Sequence, residues 1–297
     1  MNENVLACIT AYYPGPEFEN ICRIISQQTG LLLIVDNSVE GNLSSQGINF
    51  SPNTLVVCNK NEDAISGALN TALKYARGHD FEYLHLFDQD TVPPADITGN
   101  LIPAFQTDPK AVIVSPRFLN SSTNFPGRVL LNINKWKVKN FWPGADIGIV
   151  NALFTISSAA LIHIKRVPRD MFYDRRLFID NCDVDFCLSL RNEGFEILVD
   201  TSVCVIHGIG SRKKGGGRWS ATNYSPLRKQ LSAKNRMMIW RRYRKNYPGY
   251  IINDFFVFLL DSGRTTILEA NRFKKLIALC KGLWQGLLEK QIHKRIG

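Results

Sequence analysis

Residues 31–38 read Leu-Leu-Leu-Ile-Val-Asp-Asn-Ser, an unbroken apolar run that stops abruptly on three polar side chains. A strand with one wet face alternates apolar and polar residues, so this run predicts a strand covered on both faces, as in a parallel sheet layered between helices. Upstream, residues 5–11 form a second apolar run ending at Tyr12-Tyr13-Pro14-Gly15-Pro16. Between the two, within 17–28, Phe18, Ile21, Cys22 and Ile25 recur at helical spacing. Together they make a β-α-β unit. Downstream, 55–58 predicts a third strand, 64–76 a helix, and 83–87 a fourth strand that ends on Asp88-Gln89-Asp90. Strands alternating with helices define an open α/β sheet, whose ligand crevice lies outside the carboxyl ends of its strands. Asp36 and Asp88 to Asp90 both fall at such ends.

Further along, 111–115 and 153–164 are apolar segments separated by a stretch, 130–142, with little periodicity. The pattern predicts a helix over 180–191, strands over 197–199 and 203–206, and a glycine-rich basic loop over 208–217. A basic helix over 227–244 follows, and 250–296 reads as two helices divided near Ser262-Gly263.

The 297 residues are 45% hydrophobic and 21% charged, which excludes a disordered chain. The formal charge of +10 is unevenly spread: residues 1–206 carry 16 Lys and Arg against 22 Asp and Glu, and 207–297 carry 20 against 4. An acidic body with a strongly basic C-terminal third predicts an anionic partner there: a membrane surface, a diphosphate or nucleic acid. The seven cysteines are scattered, mostly in apolar runs and without a CxxC, and read as buried thiols in a reducing compartment. No signal-peptide pattern opens the sequence, and no apolar stretch approaches the roughly 20 residues that span a bilayer. The expectation is a cytoplasmic protein resting on a membrane.

Three constellations carry chemistry. Asp88 and Asp90 offer oxygen ligands on a short loop, suited to Mg²⁺ or Mn²⁺ shared with substrate phosphates. Asp180, Asp183 and Asp185 crowd within six residues; Asp180 is placed to cap the first helical turn, and the cluster suggests one carboxylate held as a general base. His207 ends an apolar strand and opens the loop in which Arg212, Lys213, Lys214 and Arg218 sit among glycines, a composition suited to a lid closing on phosphate.

In this order the segments resemble the family 2 glycosyltransferases with the GT-A fold, and among them the bacterial rhamnosyltransferase-like branch. ACITAYYPG is similar to the family's first strand and turn, with Tyr12 at its tyrosine. Asp36-Asn37-Ser38 matches the D-N-x-S turn, Ala68-Leu69-Asn70 its A-L-N segment, and Asp88-Gln89-Asp90-Thr91 its L-D-Q-D-[ST] motif. FIDNCDVDFCLSLRNEG looks like the I-D-x-x-D-x-E-x-x-L-R segment, with Asp183 at the base, Asp185 where Glu is usual, Ser189 where Arg is usual, and Arg191 two residues late. His207 falls on H-x-x-G, Ser225 to Asn235 resembles S-P-x-R-x-Y-Y-x-x-R-N, and CKGLWQGLLEK is similar to the K-G-x-x-D-G-x-x-G-K tail.

The resemblance implies an α/β GT-A nucleotide-diphospho-sugar transferase fold, an open mixed sheet flanked by helices, over 1–222, with a basic, amphipathic helical region over 223–297. It implies donor binding by Tyr12, Asp36, Asn37, Asn70, Asp88 and Asp90, with Asp36 reading the base. A metal would sit on Asp88, Asp90 and His207. Asp183 would act as base in an inverting transfer, with Asp180, Asp185 and Arg191 contacting the acceptor or supporting the residues that do. The implied donor is dTDP-rhamnose, with UDP-galactofuranose or another UDP-hexose as the alternative, and the acceptor a cell-surface polysaccharide or lipid-linked oligosaccharide at the inner membrane face. A non-catalytic donor-binding scaffold is the competing class. A nucleic-acid partner would leave the acidic clusters unexplained. Aromatics interleaved with Lys and Arg in the tail fit an anionic interface, or packing against the body or a second copy in a homodimer.

Overall fold

The computed structural model describes residues 2–41, 43, 47–120, 124–207 and 223–290. Its centre is an eight-stranded mixed sheet. In chain order the strands are β1 (Asn2–Ala11), β2 (Thr29–Asp36), β3 (Thr54–Cys58), β4 (Tyr83–Asp88), β5 (Ala111–Asn120), β6 (Val129–Asn134), β7 (Lys137–Phe141), β8 (Ile149–Ala152), β9 (Leu161–His163) and β10 (Glu196–His207). The spatial order is β3-β2-β1-β4-β9-β5-β10-β8, and β6 and β7 form a separate hairpin. β3, β2, β1 and β4 run parallel, β9 is antiparallel to both its neighbours, β10 is parallel to β5, and β8 is antiparallel to β10.

The run at 32–35 is fully buried, with Leu33 and Val35 in one apolar cluster and Leu32 and Ile34 in the other. Alternate side chains therefore enter two different cores. Helix α1 (Phe18–Ser26) covers one face through Phe18, Ile21, Cys22 and Ile25, and α2 (Ala64–Gly78) covers the other through Leu69, Ala72, Leu73 and Ala76. Each large side chain taken out of water there contributes about 1.5–3 kcal/mol.

α3 (Ile97–Leu101) follows β4, and α4 (Cys182–Asn192) precedes β10. α5 (Pro226–Tyr243) places Met238, Ile239 and Tyr243 in the cluster beneath α2 and α4, so this first helix of the basic region is part of the main core. α6 (Pro248–Leu268) and α7 (Arg272–Leu288) complete the chain. The glycines of the 280–290 segment have a packing reason: a Cβ on Gly282 would stand 2.1 Å from the Gln230 carbonyl oxygen, and one on Gly286 2.3 Å from that of Lys234. Only glycine lets α7 lie this close on α5.

Four expectations are corrected. α6 runs unbroken through Ser262-Gly263, and the chain turns instead at Glu269 to Asn271, where Asn271 takes a left-handed conformation (φ 56°). The two short strands over 197–206 are one strand, with a register shift between Asp200 and Cys204. The aperiodic 130–142 is the β6–β7 hairpin, exposed enough that no apolar alternation is demanded of it. Cys58 and Cys280 are exposed rather than buried; all seven cysteines are free.

Candidate active site

The carboxyl ends of β1, β2 and β4 converge on one edge of the sheet, and the Asp88-to-Thr91 turn occupies it. Gln89 holds the turn to the end of β1: the Tyr12 amide donates to Oε1 at 2.5 Å, and Nε2 donates to the Tyr12 carbonyl at 3.1 Å. On its other side the buried Thr91 hydroxyl meets the buried Ser158 hydroxyl at 2.8 Å. One residue later Val92 forms an isolated antiparallel bridge with Ile206, which brings the end of β10, and so the backbone of His207, to the turn. The His207 side chain and Arg212, Lys213, Lys214 and Arg218 lie outside the described residues. Asp90 is exposed and Asp88 half-buried.

Asp183 stands in the first turn of α4. Burial, and after it the charge of Asp88, push its carboxyl from the ordinary 3.8 up to about 6. Opposing this, the Ser157 amide and hydroxyl donate to the carboxylate, and the Cys182 thiol donates at 3.6 Å. Ser157 and Ser158 are thus consecutive residues of one loop, the first holding Asp183 and the second holding the Asp88–Asp90 turn. No local sequence signal marks this serine pair as site residues.

The rest of the acidic cluster is structural. Asp180 does not cap α4: it and Asn181 both have left-handed backbones (φ 61° and 62°), which places Asp180 outside the helix, with Asn181 at the cap position. Its carboxylate accepts from Arg228 at 3.1 Å, and the Asn235 amide donates to the carbonyls of Ile179 and Asp180. Asp185 is fully buried and ion-paired with Arg242 of α5, which also meets Asp174 at 2.6 Å. Burial alone would raise the Asp174 carboxyl, but Arg176 and Arg242 hold it well below the usual range. The Tyr243 hydroxyl lies 2.9 Å from Asp185 Oδ1 and 2.6 Å from Ser189 Oγ. Ser189, standing where an arginine was expected, therefore joins a network whose guanidinium comes from Arg242. Arg191 bonds Asn151, Ala152 and Glu196 at the amino end of β10, the edge opposite the Asp88 turn, so it is no acceptor contact.

Two expected donor residues are also held by the protein's own backbone. Asn70 is buried with both amide atoms on the Tyr173 backbone, at 2.8 and 3.0 Å, tying α2 to the segment before α4. Asp36 is buried and closes its own turn, accepting from the amides of Ser38 (2.9 Å) and Leu43 (3.0 Å). Asn37 beside it accepts from Asn59 at 2.6 Å. Tyr12 is 49% exposed at the rim. Past β3, Lys60, Asn61, Asp63 and Ala64 all take left-handed backbones, a strained loop of the kind that gathers at functional sites. Arg175 braces it through Glu62 and Asp63. A polar cavity of about 260 Å³ opens there, with Asn59, Thr71, Lys74 and Arg175 in its walls.

Asp88 and Asp90 give a hard cation two carboxylates, one fully accessible, and leave the remaining positions to substrate phosphates; this donor set fits Mg²⁺ or Mn²⁺. Among the described residues no third His, Cys, Asp or Glu completes the group.

An open mixed sheet with paired carboxylates at its carboxyl edge and a raised carboxyl facing them makes a GT-A-like fold. The family model for Glycosyl transferase family 2 matches residues 21–164, a little under half of the chain. The chain is similar to dTDP-rhamnosyl transferase RfbF of Shigella flexneri, 24% identical over 249 residues that cover 82% of this chain and 81% of the relative. Its fold is similar to that of GalNAc-T7, solved with UDP, GalNAc and Mn²⁺ (TM-score 0.60, 11% identity, 96% of this chain and 56% of that one). It is also similar to that of the mannosyltransferase PcManGT of Pyrobaculum calidifontis, solved with GDP-Man and Mn²⁺ (TM-score 0.54, 13% identity, 97% and 76%). The chain thus spans little more than half of the first of these structures.

Proposed function

We propose that the protein transfers L-rhamnose from dTDP-rhamnose, with inversion, to a hydroxyl of a growing cell-surface polysaccharide or lipid-linked oligosaccharide at the inner membrane face. The observation that carries the mechanism is Asp183, held by Ser157 opposite Asp88 with its proton affinity raised toward neutrality. A group poised near the working pH both accepts and releases a proton readily. Asp183 takes the acceptor hydroxyl's proton as that oxygen bonds to the anomeric carbon; the bond from this carbon to the diphosphate oxygen breaks and its electron pair leaves with dTDP. Asp88 and Asp90, with His207 as a further ligand, would hold a divalent cation, whose positive charge would offset the negative charge of the leaving diphosphate. Tyr12 and the buried Asp36-Asn37 turn form the nucleotide side, and Ser157 and Ser158 keep base and turn in register.

The dTDP-rhamnose assignment is supported by the similarity to the Shigella flexneri enzyme. It is tested by transfer and donor binding with Asp183→Asn: transfer should fall by at least about 10³-fold while dTDP-rhamnose still binds, the signature of a lost proton acceptor. Unchanged transfer would remove Asp183 from the role of base.

A further inference from the structure

We infer that the corner between α6 and α7 seats the protein on an anionic lipid bilayer. Both helices carry apolar stripes on their outer faces. On α6, Ile252, Phe255, Phe256, Leu259 and Leu260 are exposed at the i, i+3, i+4, i+7, i+8 spacing that ordinarily faces a core. On α7, Phe273, Ile277, Trp284 and Leu288 do the same. At the corner itself Ile267 and Phe273 are 73% and 72% exposed.

The charges are sorted to match. Asp254, Asp261, Glu269 and Glu289 each turn inward onto a cation: Arg236 at 3.0 Å, Lys229 at 3.4 Å, Lys275 at 2.7 Å and Lys234 at 3.3 Å. Within residues 250–288 the exposed charged side chains are Arg272, Lys274 and Lys281, all basic. Apolar stripes flanked only by cations complement an anionic lipid surface. A second copy packed on the same face about a twofold axis would set these cations against one another. No helix among the described residues is long and apolar enough to span a membrane, so the contact is peripheral.

The orientation comes from α5. Arg228 reaches Asp180 at 3.1 Å, while the next residue, Lys229, reaches Thr265 at 2.8 Å and Glu269 at 3.3 Å. Neighbouring residues of α5 thus hold the corner and Asp180, three residues before Asp183. For the lipid-linked acceptor of the proposed function, on which this purpose rests, that edge would face the lipid from which the acceptor hydroxyl projects.

The test is co-sedimentation of the full chain with vesicles containing phosphatidylglycerol and with vesicles of phosphatidylcholine alone. Binding should require the anionic lipid and weaken with salt. Each cation near such a surface is worth about fivefold in affinity, so Arg272→Gln with Lys274→Gln should weaken binding about 25-fold. Ile267→Ser with Phe273→Ser should weaken it even at low salt. Both pairs should keep the parent melting temperature and nucleotide-induced stabilisation. Equal binding to the two vesicle types, binding untouched by either pair, or a dimer that these substitutions dissociate would overturn the assignment. Vesicle binding without use of dTDP-rhamnose would sink the donor proposal alone, and anionic-lipid-independent transfer would sink this one alone.

Discussion

Asp183→Asn should stabilise the ligand-free protein while removing its activity, and the gain should depend on pH. The folded state binds the Asp183 proton more tightly than the unfolded chain does, because burial and Asp88 disfavour the carboxylate and the Ser157 hydrogen bonds only partly offset them. Between 3.8 and about 6 the folded protein holds a proton that the unfolded one has released, so stability falls as pH rises through this window and stays lowered above it. At about 1.36 kcal/mol per pH unit the deficit is on the order of 3 kcal/mol at pH 7.5. Asparagine has the same shape and still accepts from the Ser157 amide, but it forgoes the charge-assisted part of those bonds, which leaves a net gain of about 1–3 kcal/mol. For a chain of this size that raises the melting temperature by about 2–5 °C. The assay is thermal denaturation followed by circular dichroism from pH 4 to pH 8. A variant that melts at or below the parent at pH 7.5, or whose gain is as large at pH 4, would refute the reasoning.

Arg242→Met should cost about 3–5 kcal/mol in chemical denaturation, because it strands the fully buried Asp185 beside Asp174; adding Asp185→Asn should recover part of the loss. Gly286→Leu should separate α7 from α5, since its Cβ would meet the Lys234 carbonyl oxygen, and be seen as early proteolysis between residues 268 and 288 with a melting point several degrees lower. Gln89→Ala should leave the melting temperature within about 2 °C but weaken donor binding measured by calorimetry, because the turn carrying Asp88 and Asp90 loses its bonds to the end of β1.

The sequence carries the frame of this molecule because the frame follows from local rules. A run such as 32–35, apolar at every position, is stable only between two cores, and α1 shows its buried stripe at helical spacing. The turn at Asp88 and the raised carboxyl at Asp183 are legible for a related reason, as acids placed where burial or repulsion opposes them. Tertiary partners decide the rest. Asp180 looks like a helix cap until Arg228 and Asn235 draw it out into a left-handed segment. Ser262-Gly263 looks like a break until Lys229 packs against Asp261 and Thr265 and carries α6 through it. Asn70 and Asp36 have the chemistry of ligands, yet Asn70 is held by the backbone of the distant Tyr173 and Asp36 by the amides of its own turn. Arg242 replaces an arginine expected on α4 from a different helix, a substitution visible only in three dimensions.

Calorimetric titration of dTDP, UDP, GDP and CMP, each with and without Mn²⁺, against the parent chain and Asp90→Asn tests the central claim most directly. The account predicts tightest binding of dTDP, dependent on Mn²⁺ and lost in Asp90→Asn. Binding of UDP or GDP in preference to dTDP would contradict the dTDP-rhamnose assignment, and nucleotide binding unchanged by Mn²⁺ and by Asp90→Asn would contradict the metal-bearing role of the Asp88–Asp90 turn.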